Sequence, residues 1–350
     1  MTDHIAPLRL RLSADALLHN WRWLAARSGR AACGAAVKAD GYGLGAVEVV
    51  RRLRGAGCRD FFVASWAEAA ILADAGQDDG VAVLHGVREE DMPLAMALPS
   101  VRPVLNTAMQ VRRWRTAAAE RACDIMIDTG MNRLGLSAED AGSGLLDGLR
   151  IDTVMSHLAC ADDVVSPMNA SQLTAFSDVT RTVAARRYSL ANSAGVCLGS
   201  DYVFDLTRPG LALYGGVPRA EAAGAIRQVV MPEAQILQLR NIPSGASVGY
   251  NATWRAPEDS TAAIINLGYA DGYLRSFSDR GWATFGDWRL PVIGRVSMDL
   301  VALAVPSGCL VGEGDWLAID YDLAIASTQS GLSPYELLTG LGRRFDRFWT

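Results

Sequence analysis

The stretch Ala36-Val37-Lys38-Ala39-Asp40-Gly41-Tyr42-Gly43-Leu44-Gly45 places one lysine at the end of an apolar run, directly before a glycine-rich turn. An amine held at the end of a strand is partly desolvated, which favours its neutral form, and a neutral amine condenses with an aldehyde cofactor to a Schiff base. Position alone also suits a surface lysine in a turn, because a lone lysine before glycines is a weak signal. His157 follows an apolar run, Arg208 opens Arg208-Pro209-Gly210, and Tyr269 sits in Gly268-Tyr269-Ala270-Asp271-Gly272. Each has an ordinary reading too: a satisfied core imidazole, a loop ion pair, an aromatic packed beside a turn. The six cysteines have neither CxxC spacing nor neighbouring histidines, so no metal site is expected.

These residues need a scaffold, and the pattern supplies one. Ser13 is a plausible cap for a helix running through ADALLHNWRWLAAR to a closing glycine. Short apolar runs (AACGAAV, FFVAS, VAVLHG, VRPVLN, CDIMID, IDTVMSHLA, YSLAN) then alternate with amphipathic stretches such as AVEVVRRLRGAG, WAEAAILADAG and TAMQVRRWRTAAAERA. Repeated strand-then-helix units predict a parallel sheet, closed into an eight-stranded barrel or left open and doubly wound. The missing GxGxxG argues against the open dinucleotide-binding form, so the fold class is α/β with an N-terminal (β/α)8 barrel. Past about Ile226 the texture turns to Val, Ile and Trp with frequent turn residues, as in WATFGDWRLPVIGRVSMDLVALAV. The expected division is therefore a barrel over 11–225 and a mostly β domain over 226–350.

With 350 residues, half of them apolar, a large core is available. The net charge of −5 offers no cationic field for nucleic acid or an anionic membrane. No apolar run approaches the ~18 residues that span a bilayer. The start, Met1-Thr2-Asp3-His4-Ile5-Ala6-Pro7, lacks the basic and apolar regions of a signal peptide. Reduced thiols and a cytoplasmic location are expected, with a small molecule as partner.

AVKADGYGLG resembles the cofactor-lysine motif of alanine racemase, and further segments resemble that family in the same order: DTGMNRLG from Asp128, SHLACAD from Ser156, ANSAG from Ala191, RPGLALYGG from Arg208, GYADGY from Gly268, GRVSMD from Gly294 and PYELL from Pro334. The resemblance spans nearly the whole chain. It implies pyridoxal 5'-phosphate, interconversion of L- and D-alanine, and a homodimer with shared active sites. It also implies that a first strand, within about residues 1–10, packs on the C-terminal domain. By the same resemblance Lys38 holds the cofactor as a Schiff base and is the base on the D-face. Tyr269, reaching in from the partner subunit, serves the L-face, with His157 in support. Arg208 faces the pyridine nitrogen, while Tyr42, Ser193, Gly210, Leu211 and Tyr335 surround the phosphate. Arg133 and Met298 bind substrate, and Asp162, Arg295 and Asp299 border the approach.

Three positions depart from the family pattern. Met126 stands where many relatives carry a carbamylated lysine, so an anion such as chloride or a nearby side chain is expected to offset Arg133. Ser189 replaces a histidine behind Arg208, and Ser297 replaces a cysteine. Serine or a wider set of amino acids stays open as substrate, since one methyl against one hydroxymethyl is a matter of pocket shape. A decarboxylase of the ornithine or diaminopimelate type would need a C-terminal cysteine in an acidic context, which Cys309 in PSGCLVG lacks. A small barrel carrier of pyridoxal phosphate would lack the second domain.

Overall fold

The computed structural model describes residues 6–350; the reading of Met1–Ile5 and of any strand there lies outside the described residues. Internal contacts divide the chain into Leu17–Arg227 and a second unit joining the residues through Ala16 to Gln228–Thr350. Strand β1 (Leu8–Leu12) precedes helix α1 (Ala14–Arg27), whose first turn is capped by Ser13 Oγ accepting the Ala16 N–H at 3.2 Å.

In Leu17–Arg227 the strands are β2 (Ala32–Cys33), β3 (Ala35–Ala36), β4 (Phe61–Val63), β5 (Val81–Val83), β6 (Arg102–Leu105), β7 (Ala122–Met126), β8 (Arg150–Met155), β9 (Arg187–Ser189) and β10 (Leu206–Thr207). Consecutive strands from β3 to β9 pair in parallel, and β10 pairs in parallel with β2. The gap between β9 and β10 is bridged by Asp205 N–H to Tyr188 O (3.0 Å) and Arg208 N–H to Ala191 O (2.9 Å). Since β2 and β3 are one strand interrupted at Gly34, the eight positions form a closed barrel. Strands β2 to β5 are wholly apolar, as a sheet covered on both faces favours, while β6 to β10 also carry charged and hydroxyl side chains. Helices α2 (Lys38–Tyr42), α3 (Ala46–Ala56), α4 (Trp66–Asp74), α5 (Met92–Ala97), α6 (Ala108–Ala118), α7 (Ala138–Gly142) and α8 (Pro167–Thr182) fill the connections. At the amino ends of the strands Arg102 and Arg187 knit together Asp60, Asp124 and Asp152. The carboxyl ends are thereby left for chemistry.

The second unit is organised on β11 (Val230–Ile242). β1 pairs antiparallel with it, Leu10 opposite Pro232, and so extends two residues past the expected Leu10, carrying the chain through Ala16 into this unit. Alternation explains the fit: Leu8, Leu10 and Leu12 are fully buried, while Arg9 and Arg11 reach Glu233. The remaining strands are a β12 (Ser247–Val248) and β13 (Trp254–Arg255) pair, then β14 (Ser260–Ile265), β15 (Trp282–Phe285), β16 (Trp288–Ile293), β17 (Val301–Val305), β18 (Trp316–Ile319) and β19 (Asp346–Trp349). Their order is β14-β17-β16-β15-β18-β11-β1-β19, and a register shift between Ile236 and Gln238 lets β11 pair with β14 as well. Helices α9 (Leu323–Ser330) and α10 (Pro334–Thr339) interrupt this otherwise β unit.

Candidate active site

Lys38, Arg133, His157, Ser193 and Arg208 all follow the carboxyl ends of barrel strands, namely β3, β7, β8, β9 and β10. After Lys38 the backbone turns left-handed: Ala39, Asp40, Gly41 and Tyr42 have φ of 54°, 54°, 62° and 57°. Only glycine is indifferent to this region, so each of the others costs roughly 1–2 kcal/mol, and such strain gathers at functional sites. The turn is held by Gly41 N–H to Val37 O (2.8 Å), Gly43 N–H to Ala39 O (2.8 Å) and Ala46 N–H to Asp40 Oδ1 (2.8 Å). It is held also by Ala39 N–H to Glu68 Oε1 (2.8 Å). Burial holds the Lys38 amine below its usual pKa; Arg133 and Arg208 lower it further, and Glu68 opposes them.

Arg208 is almost fully buried. Its Nη1 donates to Ser189 Oγ and its Nη2 to Ser156 O. Burial brings its pKa down to about 10, with Asp124 acting the other way. Ser189 thus takes up the arginine with a hydroxyl, which itself donates to Leu206 O (2.5 Å) and carries no charge. His157 is held at about 3 by burial and then by the charges of Arg208, Arg133 and Lys38, so its imidazole is neutral at physiological pH. Arg133 is exposed, and its N–H joins those of Gly130 and Asn132 on the Asp128 carboxylate (3.1, 2.8 and 3.1 Å). Met126 is buried at the end of β7.

Ser193 Oγ accepts the N–H groups of Gly210 (2.9 Å) and Ala212 (3.2 Å), fixing the start of the single helical turn Leu211–Tyr214. A Cβ on Gly210 would stand 2.2 Å from Tyr42 Oη, so only glycine permits this approach. Tyr42 stacks on Tyr214, centroids 4.6 Å apart, and Tyr214 Oη donates to Ala36 O at 2.9 Å. Asp162 is exposed, and its charge is felt by Arg219.

In the second unit Tyr269 begins a single helical turn, Tyr269–Asp271. Two backbone bonds, Tyr269 N–H to Ser297 O (3.0 Å) and Ala270 N–H to Met298 O (3.1 Å), zip it to the Ser297-Met298-Asp299 loop. A Cβ on Gly268 would meet Met298 O at 2.2 Å, which explains the glycine. Asp271, fully buried, accepts the Gly268 N–H (3.0 Å) and pairs with Arg344 at 2.6 Å; Arg344 also holds Asp299 at 2.7 Å. The Arg275 guanidinium lies 5.5 Å from the Tyr269 ring centroid. Arg295 is half-buried, Met298 and Tyr335 are exposed, and Tyr335 lies in the first turn of α10 behind the cap Ser333.

The structure therefore brings Lys38, Arg133, His157 and Arg208 into one electrostatic group, gathers Tyr42, Ser193, Gly210 and Leu211 into one cradle, and joins Tyr269 to Met298 and Asp299. Glu68, Asp271 and Arg344 escaped the sequence reading. Glu68 stands in Ser65-x-x-Glu68, a capping-box spacing that reads as purely local, and Arg344 lies in no motif.

The model for "Alanine racemase, N-terminal domain" matches residues 12–218, and that for "Alanine racemase, C-terminal domain" matches 229–349. An alanine racemase of Rhizobium meliloti is 41% identical, over 98% of this chain and 96% of its own length. A catabolic alanine racemase of Agrobacterium fabrum is 40% identical, over 97% and 91%. The crystal structure of alanine racemase from Bartonella henselae, with covalently bound pyridoxal phosphate, is 34% identical and superposes with a TM-score of 0.90 over 99% of this chain and 100% of its own. With a barrel that matches one family domain, a β unit that matches the other and full-length relatives at this identity, the chain belongs to the alanine racemase family.

Proposed function

We propose that this chain interconverts L- and D-alanine using pyridoxal phosphate held by Lys38. The observation that carries the reading is Lys38 itself: an amine just past the carboxyl end of a barrel strand, on a strained turn, within electrostatic reach of Arg133, Arg208 and His157. The residues fit the cofactor. In the Gly210 cradle Ser193 Oγ accepts two N–H groups and keeps its own hydroxyl proton to donate to a phosphate, and Arg208 offers a buried cation held by a hydroxyl and a carbonyl. When bound, pyridoxal phosphate supplies an electron sink for the α-carbon.

The chain's own residues do the rest. Lys38 removes and returns the α-proton on the D-face, and Tyr269 does so on the L-face. Arg208, which does not readily give up a proton, is assigned to the pyridine nitrogen. Tyr42, Ser193, Gly210, Leu211 and Tyr335 are assigned to the phosphate, Arg133 and Met298 to the substrate, and His157, Asp162, Arg295 and Asp299 to support and entry. A homodimer in which Tyr269 serves the partner's Lys38 is part of the proposal, supported by the exposed Met298, Leu300 and Tyr335 of the second unit. Among the described residues no helix is long and apolar enough to cross a membrane, and all six cysteines are free thiols, five of them buried, which supports a cytoplasmic location. With Met126 apolar, an anion such as chloride, or a nearby side chain, is assigned to offset Arg133; undiminished activity in halide-free buffer would reject the chloride version.

The test is the absorbance of the purified protein in the visible, together with the optical rotation of L-alanine, L-serine and L-lysine, alongside Lys38→Ala and Tyr269→Phe. A yellow protein that racemises alanine fastest and loses the activity in both variants supports the proposal. A yellow protein that leaves every rotation unchanged overturns it, and fastest turnover of serine moves the substrate assignment.

A further inference from the structure

The left-handed turn after Lys38 closes on its own bonds, Gly41 to Val37, Gly43 to Ala39, Gly45 to Asp40 and Ala46 to the Asp40 carboxylate, but none of these takes up the Ala39 N–H, the first peptide after Lys38, which needs a hold from outside the turn. That hold comes from another element. Glu68 occupies the third position of α4 behind the cap Ser65, whose Oγ accepts the Glu68 N–H. In a capping box the glutamate would turn back to the Ser65 N–H. Here Oε2 instead accepts the Ala64 N–H at 2.7 Å, and Oε1 accepts the Ala39 N–H at 2.8 Å. One carboxylate thus spans the carboxyl ends of neighbouring barrel strands β3 and β4 and grips the first peptide after Lys38. Both bonds are charge-assisted, and both fall on backbone, so the grip fixes chain direction rather than a rotamer. Glu68 is also the negative charge that opposes Arg133 and Arg208 at the Lys38 amine.

We propose that Glu68 is a positioning residue for Lys38, its carboxylate locking the peptide planes on either side of the β3–β4 boundary so that the amine is presented in one direction. The inference rests on Lys38 being the cofactor lysine. Glu68 touches neither substrate nor cofactor in this scheme; it acts through the backbone.

Glu68→Gln tests it with little change of shape, because an amide has one acceptor oxygen and would turn an NH2 group toward the second N–H. In the cofactor-loaded protein, hydrogen exchange at the Ala39 and Ala64 amides is expected to rise by about 10–10²-fold, with the rest of the barrel unchanged. Turnover of alanine is expected to fall by about 10–10²-fold in both directions while KM moves by less than about 2-fold, the signature of a misaimed group rather than a lost binding contact. Glu68→Asp, too short to reach both amides, should lie between Gln and the unmodified protein. Unchanged exchange at both amides with unchanged turnover overturns the inference. So does a uniform rise in exchange across the barrel, which would make Glu68 merely structural. If the unmodified protein does not racemise, the proposed function falls, and amide exchange still decides whether Glu68 fixes the turn.

Discussion

The turn after Lys38 and the turn at Tyr269 are both short, both flanked by glycine and both held in part by a carboxylate that accepts the backbone N–H at the turn's entrance, Glu68 at Ala39 in the first and Asp271 at Gly268 in the second. Their rigidity comes from different sources. The Lys38 turn is strained in its own dihedrals and is fastened to parallel strands whose pairing is independent of it. The Tyr269 turn is made of ordinary helical backbone, and its precision comes from close contact with a second loop, backbone against backbone, tied off by Arg344. The lysine's turn combines strain in its own dihedrals with one carboxylate from a neighbouring helix. The tyrosine's turn is braced by a neighbouring loop, backbone against backbone.

The sharpest way to break that contrast is one exchange made in opposite directions. Gly268→Ala drives a Cβ into Met298 O, where neither side can yield cheaply; a loss of about 2–3 kcal/mol in urea unfolding and at least about 10²-fold in turnover is expected. Ala39→Gly, in the left-handed region, relieves strain and should leave stability unchanged or raise it by up to about 1 kcal/mol. Equal destabilisation by both would abolish the distinction. Next in size, Arg344→Ala strands the buried Asp271 carboxylate; discounted for the exposure of the arginine, a loss of about 2 kcal/mol is expected, with turnover falling more than KM changes. Arg344→Lys should recover part of it, because an ammonium can reach one carboxylate but cannot fork across two.

A further effect is in pH. An unfolded histidine titrates near 6.5, whereas folded His157 is held at about 3, so between these values the unfolded chain binds a proton that the folded chain does not. Stability contributed by His157 is therefore complete above about pH 6.5 and is lost as pH falls through that window. His157→Asn should flatten this part of the acid limb in pH-dependent melts. An unchanged limb would contradict the neutral imidazole.

The alternation of strand and helix made the barrel legible, and the glycine-bounded motifs singled out Lys38, Arg208 and Tyr269 as candidates, because both are written in local sequence. The eighth strand, β10, was not legible: two residues carry no periodicity, and long-range bonds to Ala32–Ala36 on one side and to Tyr188 and Ala191 on the other define it. The extension of β1 to Leu12 depends on Val230 far along the chain. Ser189 was visible as a departure, but its grip on Arg208 depends on two strands meeting. Glu68 and Arg344 were hidden for a related reason. Each serves a motif distant in sequence, Glu68 through backbone N–H groups that are the same at every residue, so nothing in the chain marks the partner.

The central claim, that Lys38 and Tyr269 are the two bases and that each site takes them from different subunits, is tested most directly by mixing. Lys38→Ala and Tyr269→Phe proteins, each inactive alone, are unfolded, mixed, refolded and assayed for racemisation, with hybrid formation followed by differently tagged chains. The account predicts that hybrids regain activity, since one of their two sites has both residues intact. Hybrids that form and remain inactive would contradict it.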